Sequence, residues 1–137
     1  VEALSVPNAT MTVVAGEPLN LSWSPAAVDG PAKVHIELNL NNHGATSAWI
    51  SCDVDDTGSF GVSASLLDAL QQIGVSGFPS LSLARRSSDH TTISVGCVEF
   101  IVASSRDVAV EIEGVKSCTS DQQCPPGQSC GVDLACH

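Results

Sequence analysis

The chain has 137 residues, 43% hydrophobic and 15% charged, a balance that folds around a core instead of staying disordered. Fifteen acids against five bases give a formal net charge of −10. The bases (Lys33, Arg85, Arg86, Arg106 and Lys116) form no stripe, so neither a nucleic-acid backbone nor an anionic membrane is an expected partner. No apolar run approaches a membrane span in length.

In chain order, Thr10 to Val14 is β-prone and is broken by Gly16-Glu17-Pro18. Leu19, Leu21 and Trp23 alternate with Asn20, Ser22 and Ser24, which predicts a strand with Trp23 facing the core. Pro25 to Pro31 is a connection of turn formers. Val34, Ile36, Leu38 and Leu40 alternate with Lys33, His35, Glu37 and Asn39, the cleanest half-buried strand in the sequence. Asn41-Asn42-His43-Gly44 turns the chain into the stretch that organises the rest, where Ala48, Ile50, Cys52 and Val54 face inward and Trp49, Ser51 and Asp53 outward. A tight acidic turn, Asp55 to Gly58, leads to a short returning strand with Phe60 and Val62. Ser63 or Ser65 caps a short helix whose face is Leu66, Leu67, Leu70 and Ile73, and Gly74 ends it. This helix is expected across an open end of the fold.

Ser80 to Arg86 is the next predicted strand, with Leu81 and Leu83 inward, and Ser87-Ser88-Asp89-His90 is read as a turn. Ile93, Val95 and Cys97 share one parity while Phe100 and Val102 have the other, a conflict that a β-bulge near Gly96 would resolve. Val108, Val110 and Ile112 form the last strand. Seven or eight short strands with one inserted helix predict an all-β, antiparallel sandwich over residues 1–116.

Six cysteines, four of them in the last twenty residues, indicate an oxidising compartment. The chain is thus expected to be a mature exported segment, extracellular or on a cell surface, with its export signal outside the sequence given. Cys52 and Cys97, both in strand surroundings, are expected to bridge the two sheets. Their loop of about 45 residues corresponds to roughly 4 kcal/mol at most. Residues 117–137 hold Cys118, Cys124, Cys130 and Cys136 at an interval of six and almost no aliphatic residues. Such a tail needs cross-links to hold a shape. Three pairings are open, of which Cys118–Cys130 with Cys124–Cys136 is favoured, and a four-thiolate zinc site competes poorly because the paired C-x2-C spacing is missing.

The stretch Ala15-Gly16-Glu17-Pro18-Leu19-Asn20-Leu21-Ser22-Trp23 resembles the opening of immunoglobulin-like and fibronectin-type modules. The tail motif Cys118-Thr-Ser-Asp-Gln-Gln-Cys124-Pro-Pro-Gly-Gln-Ser-Cys130 resembles short cysteine motifs near the ends of exported bacterial surface proteins and lipoproteins, and Cys52-x-x-Asp-Asp-x-Gly-Ser-Phe60 is similar to a feature of domains from the same setting. The chain departs from antibody-type domains in its shorter Cys52 to Cys97 spacing and its inserted helix. The resemblance implies an immunoglobulin-like architecture and an exported location; it brings no catalytic residue.

The chemistry on offer is sparse. Asp53, Asp55 and Asp56 with Gly58 look like the opening of a calcium loop, but the twelfth position counted from Asp53 is Ala64, which rules out an EF-hand and leaves a looser surface Ca²⁺ site. Trp49, exposed on its strand, is the candidate contact residue for a sugar or a protein. His35, His43, His90 and His137 share no metal-ligand spacing, and Asp89-His90 lacks a nucleophile elbow. Asn8 and Asn20 open glycosylation sequons. The expectation is a non-enzymatic structural or adhesive surface protein that contacts other proteins or further copies of itself, self-assembling through the Thr10–Val14 strand. The alternative is a carbohydrate-binding module built on Trp49 and the acidic, Ca²⁺-assisted loop.

Overall fold

In a computed structural model of the chain, residues 1–27, 32–43 and 48–137 are described. Strands β1 (Thr10–Val13), β2 (Leu19–Ser22), β3 (Lys33–Asn39), β4 (Trp49–Asp55) and β5 (Ser59–Val62) precede helix α1 (Ala64–Ile73). Strands β6 (Ser80–Ile93) and β7 (Gly96–Ile112) follow, and a single 3-10 turn (Asp121–Gln123) lies in the tail. The strands form a five-stranded sheet in the order β1-β7-β6-β3-β4 and a two-stranded sheet of β2 and β5.

The alternating sequences explain the core. Val34, Ile36 and Leu38 of β3 are fully buried in the larger sheet, flanked by Leu81 and Leu83 of β6 and Ile50 of β4. Leu19, Leu21 and Val62 from the small sheet and Leu67 and Leu70 from α1 join the same apolar cluster. Trp23 is buried and Trp49 exposed, as their registers require. In the helix, Leu66 and Ile73 lie outside the buried stripe; only Leu67 and Leu70 reach the core. Gly74 ends α1 with φ +145, and a Cβ there would come within 2.8 Å of the Asn41 side-chain amide.

Three expectations need correction. The sheet is mixed, not purely antiparallel, because β1 runs parallel to the far end of β7, from Thr10↔Ala109 to Val13↔Ile112. Ser87 to His90 is not a turn: the β6–β7 ladder continues unbroken from Ser80↔Ala109 to Ile93↔Gly96. The chain reverses at Ser94-Val95, with Gly96 at φ +151 just after the reversal. The parity conflict therefore disappears without a bulge, since Ile93 and Cys97 stand on opposite strands of a hairpin.

The third correction concerns sulfur. Cys52 and Cys97 are free. Through Ile36, Cys52 aligns with Leu83 of β6, whereas Cys97 lies opposite Thr92. The offset of nine residues from Leu83 to Thr92 puts the two thiols about 30 Å apart along the strand direction, far beyond the Cα separation that a disulfide spans.

The tail follows the favoured pairing, with Cys118 bonded to Cys130 and Cys124 to Cys136. It packs on the segment before β6. Gly77 N–H donates to Asp133 O at 2.8 Å and Phe78 N–H to Ser117 Oγ at 2.9 Å. A Cβ at Gly77 would fall 1.8 Å from Leu134 O, so only glycine allows this contact.

Candidate interaction surface

Two features of the β6/β7 hairpin dominate the molecule: a buried polar anchor at its base and an exposed arm beyond it. The anchor is Arg85, on the inward parity of Leu81 and Leu83 and only 1% exposed. Its Nε donates to Asp56 Oδ2 at 2.7 Å and its Nη2 to Asp56 Oδ1 at 3.2 Å. The remaining donors reach Ser24 O and, through Nη1, Glu2 O and Ala3 O. Asp56 also accepts from Trp23 Nε1 at 2.8 Å and from Ala26 N–H at 3.2 Å. Burial raises the Asp56 carboxyl pKa. Hydrogen bonds from Arg85, Trp23 and Ala26 outweigh that and hold it below the ordinary carboxylate value. A buried charge is tolerable only when paired and hydrogen-bonded in this way. One guanidinium thus ties β6 to the β4–β5 turn, the segment just after β2 and the N-terminal segment.

The sequence singles out Asp56 but not its partner. Inward parity at Arg85, beside Leu81 and Leu83, is the signal that a buried cation needs a carboxylate. Asp53 and Asp55 go elsewhere, outward on β4 with Trp49. Asp53 lies 2.9 Å from His35 Nδ1, and Asp55 forms an ion pair with Lys33. The three acids are therefore divided among three partners, His35, Lys33 and Arg85, and do not converge. Among the described residues, the one group of three potential metal-ligand atoms within 4.8 Å of one another is Cys118, Cys124 and Cys136, and all three sulfurs are in disulfides.

Beyond Arg86 the hairpin loses its neighbours. β3 pairs with β6 only from Ser80 to Arg86, and β1 with β7 only from Ala109 to Ile112. Among the described residues, no third strand pairs with the arm from Ser87 to Ala103. The arm nonetheless carries Phe100 at 57% exposure, Ile101 at 62% and Val102 at 56%, with Ile93 and Val95 near its tip. Phe100 and Val102 continue the parity of the buried Val108 and Val110, so the core-facing side of the sheet runs on past its cover. At the base of the arm, a shallow cavity of about 290 Å³ is lined by Lys33, Asp53, Arg86, Ser88, Glu99 and Ile101.

Comparisons with models of protein families, with curated proteins and with solved structures find no match to this chain. The fold is mostly β with one helix and a disulfide-rich tail. Its two disulfides suggest a compartment outside the reducing cytoplasm, and no helix among the described residues is long and apolar enough to cross a membrane.

Proposed function

We propose that the protein is an exported, non-enzymatic surface protein of immunoglobulin-like ancestry that works through protein–protein contact, and that the arm from Ser87 to Ala103 makes the contact. The observation that carries this reading is the arm's composition. Paired strands with unpaired outer edges and exposed Phe100, Ile101 and Val102 are what β-augmentation and apolar docking use. β1 contributes less than its sequence suggests, because one of its edges is already hydrogen-bonded to β7 of the same chain.

The test is a photo-crosslinking residue at position 100 on the surface of the producing cell, with exposed Gln128 in the tail as the control position. Protein adducts, whether to this chain or another, that form at 100 and not at 128 support the reading. Equal labelling at both positions, or no protein adduct at 100, overturns it.

The exposure of Trp49, 57%, on the same outward face as Asp53 favours a second reading, carbohydrate binding assisted by Ca²⁺. A glycan array with and without chelator, repeated on Trp49→Ala, decides it. Loss of a glycan signal in both the variant and the chelated sample supports this reading, and absence of any glycan signal removes it.

A further inference from the structure

We propose that the open edge of β4 in one copy pairs antiparallel with the β4 edge of a second copy, about a two-fold axis that passes between their Cys52 residues. The inference goes beyond the arm contact and does not rest on it, since β4 ends the sheet on the side away from β7. Native edge strands avoid such pairing by being short, bulged or interrupted by proline, or by carrying charge. β4 has seven residues, an unbroken register with β3 and no proline. Its inward residues, Ile50, Cys52 and Val54, are all apolar, and Cys52 and Val54 are only half-buried at the margin of the core. Its two acids point outward and are each engaged within the copy, Asp53 with His35 and Asp55 with Lys33. Among the described residues, no strand pairs with the outer edge of β4.

The hydrogen-bonding phase of that edge follows from the ladder. Ala109 N–H donates to Ala9 O, so odd-numbered residues of β7 aim their backbone groups at β1 and even-numbered ones at β6. Carried through the registers of β6 and β3, this alternation points the even-numbered residues of β4 at β3. Trp49, Ser51, Asp53 and Asp55 thus aim their N–H and C=O groups at the open edge.

Antiparallel joining about a two-fold axis keeps the core faces of both sheets on one side, so it opposes only residues of equal parity. Cys52 is the midpoint of β4. An axis there pairs the whole strand: Cys52 with Cys52, Ile50 with Val54, Ser51 with Asp53 and Trp49 with Asp55. The core face gains an unbroken apolar row, and on the outer face no acid stands directly opposite an acid. Moving the axis one residue onward opposes Asp53 to itself, and moving it one residue back leaves Val54 and Asp55 without partners in β4. The central Cys52 pair is of the non-hydrogen-bonded kind, with Cα atoms about 4.5 Å apart, inside the range that a disulfide spans. Such an interface is isologous and closes at two copies.

Cys52 reports the register. The full chain carrying Cys97→Ala, in which Cys52 is the one free thiol left, is incubated with oxidised glutathione, resolved on non-reducing gels and mapped by mass spectrometry. One Cys52 thiolate attacks the glutathione disulfide and releases one glutathione thiol. The Cys52 thiolate of the second copy then attacks the Cys52 sulfur of the first and releases the other. Two protein thiols are oxidised, and one glutathione disulfide is reduced to two thiols. We expect a product of twice the chain mass joined Cys52 to Cys52. Ser51→Asp, added to Cys97→Ala, sets like charges opposite each other at two places and should slow linkage by about 2- to 30-fold relative to the neutral Ser51→Asn. Ser51→Pro removes an N–H that β3 does not use and should abolish linkage; Ser51→Asp decides if the proline variant folds poorly. Linkage as fast in Ser51→Asp as in Ser51→Asn would be chance collision of thiols and overturns the interface, as does the absence of a Cys52–Cys52 product from Cys97→Ala.

Discussion

The base and the tip of the β6/β7 hairpin are the same two strands in one continuous ladder, yet they live in different solvents. At the base, Leu81, Leu83, Val108 and Val110 are buried under the small sheet and helix, and Arg85 spends its donors on Asp56 and on three backbone carbonyls. Toward the tip, the same alternation leaves Phe100, Val102 and Ile93 in water. The difference teaches that strand pairing and burial are separate decisions. Hydrogen bonds close the ladder along its whole length, but only the covered half gains the transfer free energy of apolar burial.

The sharpest way to break this contrast is at its boundary. Arg85→Ala leaves the Asp56 carboxylate 9% exposed and without its cation, and removing one member of a buried pair costs about 3–5 kcal/mol. That is a large part of the stability of a typical domain. Urea unfolding should show a much lower midpoint at an unchanged slope. Arg85→Met with Asp56→Asn should recover part of the loss, since no charge is then left buried without a partner. A loss below about 1 kcal/mol in Arg85→Ala would mean that the anchor does not hold the base.

The tail offers a second contrast, because it is held by sulfur and by one close backbone approach. Gly77→Ala drives a methyl group into Leu134 O, so the tail must lift off. The expected loss is about 1–3 kcal/mol, with faster hydrogen exchange at Gly77 and Phe78 and both disulfides retained. Unchanged exchange at those two amides would count against the docked arrangement.

Acid should act on the base and spare the arm. The Asp56 carboxyl is held below its unfolded value near 3.8, so its contribution is complete above that value and drains away as pH falls through the lower, folded one. Asp133 shifts in the same direction: burial raises its pKa, but hydrogen bonds led by that from His137 lower it overall. Stability measured from pH 6 down to pH 2 should therefore fall, and Asp56→Asn should flatten part of that decline. An acid limb as steep in Asp56→Asn as in the parent would remove Asp56 from the account.

Much of the covered half was legible in the sequence, because burial there enforces a period of two. The alternation of Val34, Ile36, Leu38 and Leu40, the outward Trp49 and the inward Trp23 all follow from it. The tail pairing was open to three arrangements, and the structure takes the favoured one. The arm was not legible, because parity records which face a residue takes and not whether the chain has reversed. Ser87-Ser88-Asp89-His90 has turn composition but contains neither Gly nor Pro, and the β-branched Thr91-Thr92-Ile93 carries the strand on. The Cys52–Cys97 bridge failed for the same reason. Two cysteines in strands meet only if their strands neighbour in register, which sequence spacing does not reveal. Arg85 was missed because an alternating pattern is read for apolar residues, so a cation at an inward position drew no partner.

The smallest expected effect on stability lies at the tip. Phe100→Ser with Val102→Thr removes exposed apolar surface and leaves every backbone pair of β6 and β7 in place. Surface changes of this kind stay within about 0.5 kcal/mol, so the urea midpoint should barely move. The same pair of changes should abolish the position-specific crosslinking of the arm when the photoreactive group is moved to Ile101. If the arm were packed against the body in solution, these substitutions would instead cost what core truncations cost, about 2–5 kcal/mol. A near-zero change in stability with a complete change in contact would show that the tip's apolar residues serve an encounter with another molecule and not the fold that carries them.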